Sequence, residues 1–276
     1  MRIVIDLQGA QSESRFRGVG RYSLALALGV ARNAGDHEVW LLLNGALPGA
    51  IADLRRAFAG LVPSERIRVF LPAAPLAGLD PSLAPAARAS ELLREHVLAQ
   101  LAPDMVLVTS LFEGYVDDAV VSAGTLAGAG RTAIVLYDLI PLLNPDAYLA
   151  LPAQRDYYAL KVESLRRAGL LLAISDYSRG EAIAALALAP ERVVAISTAV
   201  DDSFRPAALD AAALPAQRRA GGAAPALRPD ARDGHVRARR LRRAQEHRRP
   251  DHRLQPAAGA GARGAPAAHR QQAGPA

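Results

Sequence analysis

Ile3-Val4-Ile5-Asp6-Leu7-Gln8-Gly9, followed by Arg15-Phe16-Arg17-Gly18-Val19-Gly20-Arg21-Tyr22, opens the chain with an apolar run, a glycine-punctuated loop and an amphipathic stretch over residues 22–32. Residues 3–7 are nearly continuous in apolar side chains, which suits a strand of a parallel sheet covered on both faces. Six further runs of this kind lie at 39–43, 67–71, 105–108, 133–136, 170–174 and 193–196. Between them, helical periodicity marks 51–59, 86–101, 154–168 and 178–186. The alternation predicts an α/β fold built on a doubly wound, mainly parallel sheet. Periodicity does not give the strand order.

Several boundaries carry a mechanism of their own. Ser178-Arg179-Gly180-Glu181 reads as a capping box, its serine oxygen and carboxylate satisfying the first free amides of a helix. Pro103-Asp104 separates a helix from the strand at Met105, and Pro190-Glu191 turns the chain into the last strand. Residues 72–85 form a Pro/Ala-rich loop long enough to be mobile or functional.

Ligands of doubly wound sheets bind beyond the carboxyl ends of the strands. Candidate site residues therefore lie in 6–22, 110–115, 137–141 and 175–178. Gly18 and Gly20 let backbone amides approach a ligand, the helix start after them favours an anion such as a phosphate, and Arg21 adds a bidentate donor. The loop is too long for a dinucleotide fingerprint, and a tight connection with no ligand explains the glycines equally well. Glu113, three residues after Ser110, is suited to accept hydrogen bonds from sugar hydroxyls, and Tyr115 to stack on a ring; a solvated acid beside a packing aromatic is the plainer reading. Asp138 ends a buried run, where a carboxylate is costly unless paired or used, as a helix cap, half of an ion pair or a site residue. His37 and His96 are isolated and suggest no metal site, and no Ser/His/Asp arrangement stands out.

Composition divides the chain. All thirteen aromatic residues and the single lysine, Lys161, precede Asp210. From Ala216 to Ala276 there are 14 arginines against 4 acids, a net +10, which leaves the remainder at −4 within the overall +6. The high charge is thus a property of the tail, which lacks the apolar content to fold and is expected to be disordered. An arginine-rich tail suits salt-sensitive, sequence-independent nucleic-acid binding, but no aromatic is present there to stack on bases. The absence of cysteine fits a reducing compartment. The start lacks the features of a secretory signal, and no apolar run approaches the roughly 20 residues that span a bilayer. A cytoplasmic protein is expected.

The opening segments, with Ser110-Leu111-Phe112-Glu113-Gly114, Tyr137-Asp138-Leu139-Ile140-Pro141 and Leu172-Ala173-Ile174-Ser175-Asp176-Tyr177-Ser178, together resemble bacterial group 1 (family 4) glycosyltransferases. The resemblance runs in order to Val193–Pro206, over about three quarters of the chain. It implies the acceptor-side, Rossmann-like half (residues 1–206) of a two-domain GT-B enzyme that retains anomeric configuration. The substrates it implies are a nucleotide-sugar donor, with mannose a first guess, and a glycan or lipid-linked glycan acceptor of surface polysaccharide. It implies no metal and no other cofactor, and it allows peripheral contact with the inner face of the membrane. Gly18, Gly20, Arg21 and Tyr22 would face the donor, Asp138 the transferred sugar, and Ser110, Glu113 and Ser175 the substrates. Two departures stand out: Tyr137 occupies the place of a family histidine, and Thr198-Ala199 replaces Asn-Gly.

The family implies a second Rossmann-like domain after Pro206, and residues 207–276 cannot build one. High-GC codons for Arg242 to Gln255, read one nucleotide later, permit Asp-Ala-Arg-Lys-Asn-Ile-Asp-Gly-Leu-Ile-Thr-Ala-Phe. That string resembles the opening of the family's donor domain. The tail is therefore expected to be an out-of-frame remnant, and the chain as written to be an inactive transferase. A stand-alone acceptor-binding or regulatory domain is the alternative, and nucleic-acid binding through the tail ranks last.

Overall fold

The computed structural model describes residues 1–126 and 128–199. Seven strands form one sheet: β1 Arg2–Asp6, β2 Glu38–Asn44, β3 Ile67–Phe70, β4 Met105–Val108, β5 Thr132–Leu136, β6 Leu170–Ala173 and β7 Val193–Ala195. All pairings are parallel, in the order β3-β2-β1-β4-β5-β6-β7. The winding direction reverses between β1 and β4, which pair with Ile3 opposite Met105 and Asp6 opposite Val108. In an open α/β sheet this reversal opens a crevice at the carboxyl ends of the two strands.

The helices are α1 Gly18–Arg32, α2 Ile51–Ala57, α3 Ala84–Gln100, α4 Ile140–Leu143, α5 Pro145–Tyr148, α6 Pro152–Arg167 and α7 Asp176–Leu186. Successive strand residues point to opposite faces, so each buried strand feeds two cores. Ile5, Leu41, Leu43, Leu107 and Val135 pack with Ala27 and Ala31 of α1 and Leu54 of α2. Their neighbours Val4, Leu42, Val106, Ile134 and Leu136 pack with Leu98 of α3, Leu165 of α6 and Leu186 of α7. Burial of a side chain of this size contributes about 1.5–3 kcal/mol, and the two-sided burial explains why the runs are continuous.

Three expectations shift. Helix α1 begins at Gly18, ahead of the periodic stretch at 22–32. Glycine has low helix propensity, but the turn at Gly20 is needed for close packing: a Cβ there would lie 2.3 Å from Arg15 Cα. Two short helices, α4 and α5, follow β5 where no periodicity marks them, each with a proline in its first turn. The predicted capping box is displaced by one turn. Ser175 is the N-cap of α7, with φ −158° and ψ 162°, and its Oγ accepts the Ser178 N–H at 3.0 Å. A cap residue needs a non-helical backbone, and Ser175 is the last extended residue before the helix. Ser178 instead donates its buried hydroxyl to the Tyr137 carbonyl at 2.8 Å.

Among the described residues no α-helix connects β4 to β5. Residues 115–126 cross as a strap without regular secondary structure, with Ala119, Val120, Val121 and Ala123 buried. Buried backbone groups need partners, and here side chains supply them. The Gln8 amide closes on both sides of Val120, Nε2 donating to its carbonyl at 2.7 Å and Oε1 accepting its N–H at 2.8 Å. Asn44 Nδ2 reaches the Asp118 carbonyl at 2.9 Å. Lys161 Nζ donates to Val121 O, Arg94 Nη1 to Ser122 O at 3.3 Å, and Glu95 accepts from Thr125 N–H and, at 2.6 Å, Leu126 N–H. Arg94 in turn pairs with Asp6 at 2.5 Å, both side chains 1% exposed. The loop at 72–85 is fastened to the start of the strap by Leu79 N–H to Tyr115 O at 2.8 Å, and to the residue before it by Gly78 N–H to Gly114 O at 2.9 Å.

His37 and His96 are exposed. No helix among the described residues is long and apolar enough to cross a membrane. The expected tail at 207–276 and the segment at 200–206 lie outside the described residues.

Candidate functional site

The carboxyl ends of β1, β4, β5 and β6 carry every candidate residue, and the structure brings most of them to the reversal between β1 and β4. Two glycines make this convergence sterically possible. A Cβ on Gly9 would lie 2.7 Å from Ser110 Cβ and 2.8 Å from Ser23 Oγ, so only glycine lets the loop after β1 close over that after β4. Gly114, at φ +95°, would place a Cβ 2.1 Å from the Ala119 carbonyl oxygen.

Glu113 sits between these loops, 6% exposed. Ser110 Oγ donates to its Oε1 and Ser12 Oγ to its Oε2, both at 2.6 Å. Burial pushes the carboxyl above its ordinary value, and the serine hydrogen bonds partly offset that. Both oxygens are already engaged, so in this arrangement Glu113 acts as a clamp between the two loops. Ser12, which the sequence reading did not single out, also caps the 3₁₀ turn Glu13–Phe16 by accepting the Ser14 N–H at 3.2 Å.

The first turn of α1 follows directly. The bond from Arg21 N–H to Arg17 O at 3.2 Å is the first of helical type, and Arg17 offers no side-chain cap. The three preceding amides therefore project from the helix end. Gly18 is open, with nothing within 4 Å of an added Cβ, whereas Gly20 is filled by Ser14 and Arg15. The two glycines thus differ: Gly18 leaves access, and Gly20 is a packing requirement. Arg17 and Arg21 are exposed; Arg15 is tied down, Nη1 donating to Gln11 O at 3.0 Å with its guanidinium over the Phe16 ring at 4.4 Å. Anions are stabilised at such an end.

Tyr22 and Tyr137 meet edge to face, with ring centroids 5.7 Å apart at 78°. Tyr22 donates its hydroxyl to Ser197 O at 3.0 Å, and burial raises the pKa of both phenols. Asp138 is exposed; its Oδ1 accepts the Ile140 N–H at 3.1 Å, an Asx turn that starts α4. Ser175, the cap of α7, also donates to Ser178 Oγ at 3.1 Å, and so has a structural task. The exposed carboxylate of Asp138 and, in the first turn of α1, exposed Gly18 and Arg21 are the candidate groups left accessible.

A pocket of about 510 Å³ lined by Arg55, Leu61, Val62 and Ile67 lies at the amino end of β3 and shares no residue with this rim. Among the described residues no group of three or more His, Cys, Asp or Glu is placed to hold a metal ion.

No family model matches the chain. It is 38% identical over 205 residues, 74% of its own length, to a protein described as serotype-specific mannosyltransferase WbdA from Escherichia coli. A second Escherichia coli protein of the same description is 36% identical over 176 residues. The chain spans about a quarter of the length of these curated relatives, 24% and 22% respectively. Among solved structures, Arabidopsis thaliana UGT89C1 complexed with quercetin aligns with 70% of the chain and 49% of itself, at TM-score 0.40 and 12% identity. That likeness is too loose to bear on the site.

Proposed function

We infer that this chain, which belongs to the glycosyltransferases, is the acceptor-side domain of a two-domain, nucleotide-sugar-dependent hexosyltransferase, with mannose as the sugar moved. The identity of 38% with a mannosyltransferase carries the reading. The rim at the β1–β4 reversal is compatible with it, offering an uncapped helix start for a diphosphate and an exposed carboxylate for sugar hydroxyls. Gly18, Gly20 and Arg21 would face the diphosphate, Tyr22 would border it, and Asp138 would contact the transferred sugar. Glu113, Ser110 and Ser175 would hold the rim in shape.

The reaction we favour is a front-face displacement with retention. The bond from the anomeric carbon to the diphosphate oxygen breaks, the acceptor oxygen bonds to that carbon on the same face, and its proton passes to the leaving diphosphate. Such chemistry rests on positioning and on stabilising diphosphate charge. The acceptor is a glycan, free or lipid-linked. Ile140, Leu143, Tyr148 and Leu151, each at least 41% exposed, suit peripheral contact with a membrane carrying it.

Residues 207–276 are read as an out-of-frame remnant of the donor domain, so the purified chain should show negligible transfer from a panel of nucleotide hexoses. A frame-restored protein should transfer. Transfer by the chain as written would overturn the remnant reading, and no transfer by a restored, folded protein would overturn the transferase reading. DNA sequencing across codons 210–224 should locate a gained or lost nucleotide. The second reading, an acceptor-binding domain without turnover, is favoured by how completely Glu113 and Ser175 are satisfied within the domain itself. It predicts saturable glycan binding by the chain alone.

A further inference from the structure

Tyr137 stands where relatives of the resembling family carry histidine, and its hydroxyl has its own set of contacts. It lies 3.2 Å from the Val19 carbonyl in the first turn of α1, 3.1 Å from the Thr109 carbonyl at the end of β4, and 3.2 Å from Ser23 Oγ. Ser23 Oγ is itself 3.3 Å from the Thr109 carbonyl. A phenol donates one proton, so two arrangements satisfy the cluster. In one, Tyr137 donates to Thr109 O and Ser23 donates to Tyr137. In the other, Tyr137 donates to Val19 O and Ser23 donates to Thr109 O. Either way Thr109 O is bonded. In the first arrangement the phenol ties the chain leaving β5 to the end of β4 and, through Ser23, to α1. In the second it ties that chain to the first turn of α1, while Ser23 joins α1 to β4. Edge-to-face packing on Tyr22 holds the ring, and burial keeps the phenol protonated as a donor.

We propose that Tyr137 is a positioning residue, fixing the first turn of α1 against the ends of β4 and β5 so that the rim keeps one shape for a diphosphate. The proposal rests on the reading that this rim faces a nucleotide sugar. On this view the hydroxyl points into the fold and acts through the Gly18–Arg21 turn without touching the sugar. Loss of one hydrogen bond of this kind should weaken binding by about fivefold, since its net contribution is of order one kcal/mol.

The test titrates the full chain with inorganic pyrophosphate, following the amide signals of Gly18, Val19 and Gly20 by NMR, in wild type and in Tyr137→Phe. Wild-type binding that weakens about fivefold in Tyr137→Phe, with the variant still folded at the titration temperature and the three amides shifted before ligand is added, supports the proposal. Equal affinity in the two proteins overturns it and leaves the reading of the rim intact. Absence of binding by wild type overturns both. Should Tyr137→Phe fail to fold, Tyr137→His serves in its place, and a melting point lowered with no change in pyrophosphate affinity marks a purely structural tyrosine and overturns the proposal.

Discussion

The connection from β1 to β2 and that from β4 to β5 each join parallel neighbours in one sheet, but they satisfy their backbones differently. The first runs through α1, whose amides and carbonyls bond within the helix over Gly18–Arg32. The second crosses as the strap at 115–126, and its buried groups depend on Gln8, Asn44, Arg94, Glu95 and Lys161 from elsewhere in the chain. A helix carries its own hydrogen-bond partners, whereas an irregular segment must borrow them. The strap is therefore the part whose stability hangs on single polar side chains.

Arg94→Ala offers the sharpest way to break this contrast. It strips the buried Asp6 of its partner and Ser122 of a donor, and should cost about 3–5 kcal/mol in urea unfolding. A loss below about 1 kcal/mol would mean that the pair does not hold the strap. Gln8→Ala comes next, leaving both Val120 groups and Asn44 Nδ2 short of a partner, with an expected loss of about 2–3 kcal/mol. Hydrogen exchange should show the strap opening ahead of α1.

Within α1, two glycines of one turn should respond with opposite sign. Gly20→Ala pushes a Cβ to 2.4 Å from Ser14 O and should destabilise by about 1–3 kcal/mol. Gly18→Ala meets nothing within 4 Å and should stabilise by about 0.5–1 kcal/mol, as alanine is the better helix former. Thermal melts of the two variants would decide it, and a shared sign would mean that Gly20 is not a packing requirement.

The pH effect of Glu113 should be the smallest. Its folded-state carboxyl is raised above 4.5 by burial, so as pH falls the native protein binds this proton before the unfolded chain does. Its contribution to stability therefore improves as pH drops from above the raised value towards 4.5, and the buried charge is a constant cost at higher pH. Glu113→Gln should lack this slope when the two proteins are unfolded in denaturant across that window, and identical slopes would remove the clamp reading.

The seven strands and the five long helices were legible because each is written in side-chain spacing over a few residues. Errors fell where competing signals were equally local. Ser178-Arg179-Gly180-Glu181 carries the spacing of a capping box, yet the backbone leaving β6 makes Ser175 the cap. Asp138 ends a buried run yet is itself exposed, and its pairing with the Ile140 N–H belongs to a turn that no periodicity announces. For Glu113 the residue type was visible, but its burial between Ser12 and Ser110 was not, because Ser12 is 101 positions away. The strap had one overlooked signal: Ser90, Arg94, Glu95 and Leu98 share the buried stripe of α3, and charges on such a stripe need buried partners.

The α/β class, the strands and the long helices were written in the sequence alone, since period and motif depend on near neighbours. The sequence also set the break in composition near Asp210. Tertiary structure alone decided the reversal between β1 and β4, the strap, and which candidate residues stay accessible. Those features join positions as far apart as Gln8 and Val120, 112 residues along the chain, and no local pattern encodes a partner at that distance.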